Sequence, residues 1–567
     1  MKQINQLLQK LYPENVEEVT SAVEKCFNGI QPKTNDSKWY KNLQLYVTYA
    51  DSFNNGVAAD FRTLTSQLEQ IKDLGCNCIH VLPFLASPMI DMGFDVSDYF
   101  LVREELGGGK ALDQFLDKAK QLEVKVMMDI VLNHVSEEHR WYRQAVSGDD
   151  FYKDFFIWRE TKPKFVKQYT DDHGVWAQYQ YNNKKVNTRI IFPEHIGELP
   201  HWVQAEDGNW YYHTFYPHQL DLNWYNYNVF IAFAKVLVYW AKKGVVFRLD
   251  AIPFVSKQIE LGLIESNKRV HDIVAALNLI VKQVNQECIF LVEANQPMNT
   301  LKEYFGKEHV ESELAYNFPL MNSLWTTILM QSENYVWECL DTQGSLPDHA
   351  DWVTFLRNHD ELTLEYATPE HRKLVLKELK GRGKAFREGF GYAGRTYNFL
   401  ENDEKRTAMA YFLLASLPGK PTIIFGDEHA KEYSNTFMKQ QTKWKRVRFA
   451  DSSIAHDTRD INRSPIVVGE DDATKESNYL VTHLSKVFQK RLQLPVLKLD
   501  DLERIESDAG VFAAEYKNNQ PFSIFINLTE ETKEVEVTGN QLVAVGNPKL
   551  HSGRLILPSY SGIWIED

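Results

Sequence analysis

Short, largely apolar runs alternate with longer amphipathic stretches along most of this chain. Leu45–Tyr49, Cys78–Leu82, Val124–Met128, Val245–Phe247 and Pro421–Phe425 are each bounded by polar turns, as strands covered on both faces are. Phe61–Leu74 and Asn228–Lys243 carry the spacing of helices between them. This alternation predicts a parallel sheet, and an α/β fold closed as an eight-fold (β/α)8 barrel.

Three regions break the pattern. Met1 to Lys41 reads as one or two amphipathic helices interrupted near Pro13, an N-terminal extension over 1–42 packed on the outside of the barrel. Between His134 and Asn223 the alternation stops, in a stretch rich in Trp, Tyr and His that is too long for an ordinary loop. It is expected to form an inserted domain after the third strand, over 135–222, with the barrel on either side at 43–134 and 223–478. A helix at Tyr479–Leu492 leads into short alternating strands from about Asp508, which predict a C-terminal antiparallel β domain over 479–567.

Composition narrows the function. The formal net charge of −14 argues against nucleic acid or an anionic membrane as partner. Five scattered cysteines, Cys26, Cys76, Cys78, Cys288 and Cys339, read as buried reduced thiols of a cytoplasmic protein. The N-terminus has no long apolar h-region, and no run reaches transmembrane length. No phosphate loop, nicotinamide fingerprint or zinc motif is present, so no cofactor and no metal is expected. The sequence is silent on oligomeric state.

The chemistry concentrates where apolar runs end. VVFRLDAIPF, Val245 to Phe254, closes a buried strand with Arg248 and Asp250, two residues apart and therefore on one strand face. VKVMMDIVLNH carries Asp129, Asn133 and His134; CIFLVEANQ ends on Glu293; WVTFLRNHDELTLE ends on His359 and Asp360. Four apolar runs ending in carboxylates, two beside histidines, point to a catalytic site at the carboxyl ends of barrel strands.

In this order the four stretches resemble the signature regions of the α-amylase superfamily, glycoside hydrolase family 13, with QLDLNW (Gln219 to Trp224) resembling a fifth. Within it, FLRNHDELTLE, LVEANQ, YNFPLM and LLASLPGKPTIIFGDE are similar to trehalose synthases, QLDLN resembles oligo-1,6-glucosidases and α-glucosidases, and amylosucrases are more distant. The resemblance implies a retaining mechanism, with two carboxyl groups ~5 Å apart and a covalent glycosyl intermediate. It implies Asp250 as nucleophile, Glu293 as acid/base, and Asp360 as the carboxylate that binds ring hydroxyls and helps distort the sugar. Arg248 is expected to hold Asp250 ionised, while desolvation raises Glu293. His134 and His359 are implied as donors to the same sugar ring. In DMGF, Asp91 and Phe94 resemble the pair that closes a glucose pocket and stacks on the sugar, with Arg459 favoured over Arg463 as the partner of Asp91.

Departures from the family pattern are informative. RSPIVV, Arg463 to Val468, replaces the family's RTPMQW near the acceptor side. The calcium loop of glucosidases is reduced to DSFNNGVAAD, Asp51 to Asp60, and the position of a calcium-site histidine is taken by Phe254. The expected function is an enzyme on small α-glucosides, transglucosylating or isomerising in the manner of a trehalose synthase, its mouth covered by the inserted domain with aromatics such as Trp202, Trp210, Tyr212 and Phe215. A hydrolytic α-glucosidase or oligo-1,6-glucosidase is the alternative. A catalytically inactive carbohydrate-binding protein is the reading from another class, and intact Asp250, Glu293 and Asp360 speak against it.

Overall fold

In the computed structural model, which describes residues 1–33, 37–448, 455–467 and 478–566, eight parallel strands close into a barrel. They are β1 (Leu45–Thr48), β2 (Cys78–Val81), β3 (Lys125–Val131), β4 (Val246–Asp250), β5 (Phe290–Val292), β6 (Leu314–Tyr316), β7 (Asp351–Phe355) and β8 (Lys420–Ile424), and each pairs with its neighbours in chain order. β1, β2, β4 and β8 are buried at every residue. That is why their sequences lack alternation: helices cover the outer face while side chains fill the interior.

Local signals set the helices around the barrel. Asp60 accepts from the amides of Arg62 and Thr63 and so caps the helix Phe61–Asp73. Asn226 caps Tyr227–Lys243 through the Asn228 amide, and Gly244, at φ 88°, ends that helix in a left-handed turn just before β4. The N-terminal helices Lys2–Leu11 and Val16–Phe27 pack against Arg269–Lys282 and Tyr227–Lys243, and the Tyr12 hydroxyl donates to the Trp224 carbonyl at 3.0 Å.

Between β3 and β4 the chain leaves the barrel. Lys164–Asp171, Gly174–Tyr181 and Lys184–Ile190 form one antiparallel sheet, and Trp158–Arg159, Trp202–Gln204 and Trp210–Tyr212 form another. Their apolar residues make a separate cluster around Tyr179, Tyr181, Trp202 and Trp210. Gln219–Asp221 pairs antiparallel with His134–Ser136 and returns the chain beside its point of exit.

A second excursion, which the sequence reading did not foresee, follows β7. Leu362–Thr363, Lys384–Phe386 and Gly391–Ala393 form a small sheet, with the helix Pro369–Leu379 between the first two. The C-terminal region folds into a five-stranded and a three-stranded antiparallel sheet. It packs on the flank of the barrel, where Trp564 Nε1 donates to Ser416 Oγ at 2.7 Å. None of the five cysteines is in a disulfide, and Cys26 is only half-buried. No helix among the described residues is long and apolar enough to cross a membrane.

Candidate active site

The barrel register sets Arg248 opposite Asp129 across β3 and β4, with Asp250 at the carboxyl end of β4. The Arg248 guanidinium is 1% exposed and serves three carboxylates. Nη1 donates to Asp129 Oδ1 at 2.6 Å and to Asp250 Oδ1 at 2.5 Å, and Nη2 lies 2.7 Å from Glu293 Oε1. Glu293 follows β5 directly, and its amide donates to the Leu249 carbonyl at 3.0 Å. Ala251 takes a left-handed φ of 48°, which aims its amide at Glu293 Oε2, 3.2 Å away. Strain of this kind, at a residue with no glycine freedom, clusters at functional sites.

One cation among three buried carboxylates changes the electrostatics expected from sequence. Burial pushes Asp250 well above the usual carboxylate range; Arg248 pulls the other way, but Glu293 and Asp129 add to the rise. The expectation that Arg248 would keep Asp250 low is therefore corrected, because the guanidinium is shared. Glu293 is raised as well, first by burial, against the pull of Arg248. Asp129 is also buried, yet Arg248 and His80, whose Nε2 sits 2.8 Å from Asp129 Oδ2, hold it below its ordinary value. Asp250 and Glu293, the two carboxyls that burial pushes up, are thus the ones that share Arg248 at the pocket, while Asp129 behind them is held down.

Part of the pocket lining is built of paired charges. Asp91 Oδ1 accepts from Arg459 Nη2 at 3.2 Å, and Asp91 Oδ2 accepts from Gln219 Nε2 at 2.9 Å. Arg459 also donates to Asp457, to the Tyr216 hydroxyl at 3.0 Å and to Asp360 Oδ1 at 2.9 Å. Arg463 Nη2 meets the same Asp360 oxygen at 2.8 Å. Burial pushes Asp360 up, but His359, Arg459 and Arg463 together bring it far below its ordinary value. Burial keeps His359 neutral down to about 3, so above that pH the two arginines carry the effect. Asp91 has less support, and burial raises it to about 6 despite Arg459.

Phe94 stacks on His359 with ring centroids 5.0 Å apart and planes 9° from parallel. The loop reaches this position through Gly93, at φ 100°, where a Cβ would lie 2.8 Å from the Pro83 carbonyl oxygen. His359 Nε2 lies 3.2 Å from Asp360 Oδ2 without hydrogen-bond geometry, which leaves a buried ring nitrogen without a protein partner. His134 is held differently: Asn133 Nδ2 donates to its Nδ1 at 3.2 Å, and its Nε2 faces the Phe94 carbonyl at 3.2 Å.

Asp91, Phe94, His134, Asp250, Glu293, Asp360 and Arg459 line one pocket of about 840 Å³ counting its open mouth. His359 and Arg248 stand behind this lining. Two expectations about its surroundings are corrected. Trp202, Trp210 and Tyr212 are buried in the separate core of the insert, and of the four named aromatics only Phe215 lines the pocket. They face inward because alternate residues of those strands build the insert's own apolar face. Of RSPIVV, Val468 lies outside the described residues, and none of Arg463–Val467 lines the pocket. Ile466–Val467 pairs instead with Phe53–Asn54, and Lys431 Nζ holds Ser464 Oγ at 2.9 Å.

Comparison with known proteins matches the architecture to one family. The profile of the α-amylase catalytic domain covers residues 44–380. The chain belongs to the α-amylase family. Its relatives within that family include a trehalose synthase of Pimelobacter sp. (strain R48), 31% identical over 69% of this chain and 67% of the relative. The trehalose synthase/amylase TreS of Mycolicibacterium smegmatis is 32% identical over 69% of this chain and 64% of the relative. The matched part is thus about two thirds of these relatives' length. Among solved structures, an isomaltulose synthase mutant of Erwinia rhapontici NX5 in complex with D-glucose superposes with a TM-score of 0.70 over 94% of this chain and 100% of that one, at 18% identity, which speaks to the fold.

In this α-amylase-family chain, sequence reasoning missed two groups around the pocket. The first is Lys257, 2% exposed, whose ammonium contacts Asn133 Oδ1 and lies 2.7 Å from Asp221 Oδ2. It is a cation joining the barrel to the returning strand of the insert. The second is a cluster at the mouth, where Arg189 of the insert contacts Glu265 and Glu365, and Arg387 lies 2.8 Å from Glu365 and 3.5 Å from Glu361. A buried charge always needs a partner, but these partners lie far apart in sequence and no local pattern links them.

Proposed function

We propose that the protein is a retaining α-glucoside-processing enzyme that moves a glucosyl group between small sugars, isomerising a disaccharide rather than mainly hydrolysing it. The observation that carries this reading is the pocket itself. Asp91 and Arg459 pair in its lining, and one guanidinium serves both Asp250 and Glu293; in this reading the Asp91 pair shuts one end. A pocket with one blind end admits a terminal glucose and excludes the middle of a long chain.

In this reading Glu293 gives its proton to the leaving oxygen while Asp250 attacks C1 and forms the glucosyl ester. Asp360, kept ionised by Arg459 and Arg463, accepts hydroxyls of the bound ring, and His359 donates to them. Phe94 and Phe215 supply apolar surface. Glu293, now a carboxylate, takes the proton from whichever hydroxyl attacks next. The insert, 135–222, acts as the cover of the site. Similarity to proteins named trehalose synthase supports attack by a sugar over attack by water and makes maltose and trehalose the substrates of choice.

The test is incubation of maltose with labelled free glucose. Unlabelled trehalose is the expected product. Glucose alone makes the enzyme an α-glucosidase, and label in the product makes it an open transferase.

A further inference from the structure

We infer that Arg387 holds the second sugar, the acceptor, beside the glucosyl-enzyme. The inference rests on the transfer reading above and names a residue for it.

Arg387 lines the pocket yet is only 7% exposed. It shares no hydrogen-bond or ion-pair partner with Arg459: its own partners are Glu365 and Glu361, whereas Arg459 serves Asp91, Asp360, Asp457 and Tyr216. The pocket therefore has two arginine clusters, and the one around Arg459 belongs to the closed end. Arg387 is also committed loosely. One terminal nitrogen is spent on Glu365 at 2.8 Å, while the other reaches Glu361 only at 3.5 Å. The planar fork keeps donors for vicinal hydroxyls, which a hexose offers in pairs.

The backbone gives an independent sign. Arg387 and Glu388 are successive non-glycine residues in the left-handed region, at φ 55° and 52°. That conformation is sparsely populated by such residues and persists where the surroundings impose it. Here Glu388 is tied to the insert, its amide donating to Glu194 Oε1 at 3.0 Å and its carboxylate accepting from Thr170 Oγ1 at 3.0 Å. The strained pair thus anchors the excursion after β7 to the insert and turns the Arg387 guanidinium to the pocket.

In the transfer step, a hydroxyl oxygen of the held sugar bonds to C1 as the bond from C1 to Asp250 breaks, and the hydroxyl proton passes to Glu293. Holding that sugar raises its effective concentration against water. Loss of the holder therefore shifts the partition of the glucosyl-enzyme, whatever happens to total turnover.

The experiment measures the trehalose-to-glucose product ratio from maltose by NMR, for wild type, Arg387→Ala and Arg387→Lys, with circular dichroism as the check on folding. The ratio is expected to fall about tenfold or more in Arg387→Ala, on the scale of a lost positioning contact, and by less in Arg387→Lys. If Arg387→Ala does not fold, Arg387→Lys, which keeps a cation between Glu361 and Glu365, carries the measurement. Wild type that makes trehalose while the folded variants keep its ratio within about twofold overturns this assignment alone. Wild type that yields only glucose overturns the transfer reading and this assignment with it.

Discussion

Asp91 and Arg459 are 368 residues apart in the chain and meet at 3.2 Å, with side chains 8% and 4% exposed. A contact of that sequence separation exists only when the loop after β2 and the segment after β8 are both in place. It therefore reports on the assembled pocket. Removing one partner leaves a buried charge, which costs about 3–5 kcal/mol locally. Asp91→Ala is expected to raise KM for maltose steeply while the far-ultraviolet spectrum stays native; an unchanged KM would show that Asp91 does not bound the sugar site.

The same residue gives a pH dependence. Burial raises the Asp91 carboxyl from 3.8 to about 6 in the folded chain. The protonated form is thus favoured by folding, and the stability it contributes is fully present below about pH 4 and lost as pH rises through about 6. The ion pair with Arg459 is complete only above that range. KM for maltose is expected to rise as pH falls from 7 to 5, and Asp91→Asn should flatten this profile. Equal slopes in both proteins would place the titrating group elsewhere.

Asp250→Asn should lower turnover by roughly 10³-fold or more, since the covalent intermediate cannot form. Glu293→Gln should retain far more activity on a nitrophenyl glucoside than on maltose, because a good leaving group needs no acid. Early product from wild type should be the α-anomer by proton NMR. A β-anomer, or equal losses on the two substrates, would contradict these roles.

Strain at the mouth is measurable directly. Glu388→Gly removes the cost of a left-handed non-glycine residue and is expected to stabilise the fold by about 1 kcal/mol, read as a higher thermal midpoint. A lower midpoint would mean that the Glu388 contact with Thr170 outweighs the strain.

Much of the barrel was legible because its strands are buried on both faces and read as apolar runs. Val511–Tyr516 and Phe522–Asn527 were legible because strand-length apolar runs there are bounded by turns. The excursion after β7 was not. Its strands are two or three residues long, too short for any periodicity. Trp202, Trp210 and Tyr212 were expected over the site and lie in the insert's own core, since aromatic content alone does not say which face of a strand looks inward. Lys257 and Arg387 carry no local signal, because the carboxylates that partner Lys257 and Arg387 lie outside any sequence motif around them. The rise of Asp250 was equally hidden, because a sequence shows Arg248 next to Asp250 but not how many carboxylates divide it.

Lys257 has a consequence for how this enzyme meets its surroundings. The joint between insert and barrel closes on an ammonium that is part of the chain, seated against Asp221 and Asn133. Burial lowers the ammonium's hold on its proton, so this charge is given up at a lower pH in the folded chain than in the unfolded one, and the stability it contributes does not fall as pH rises.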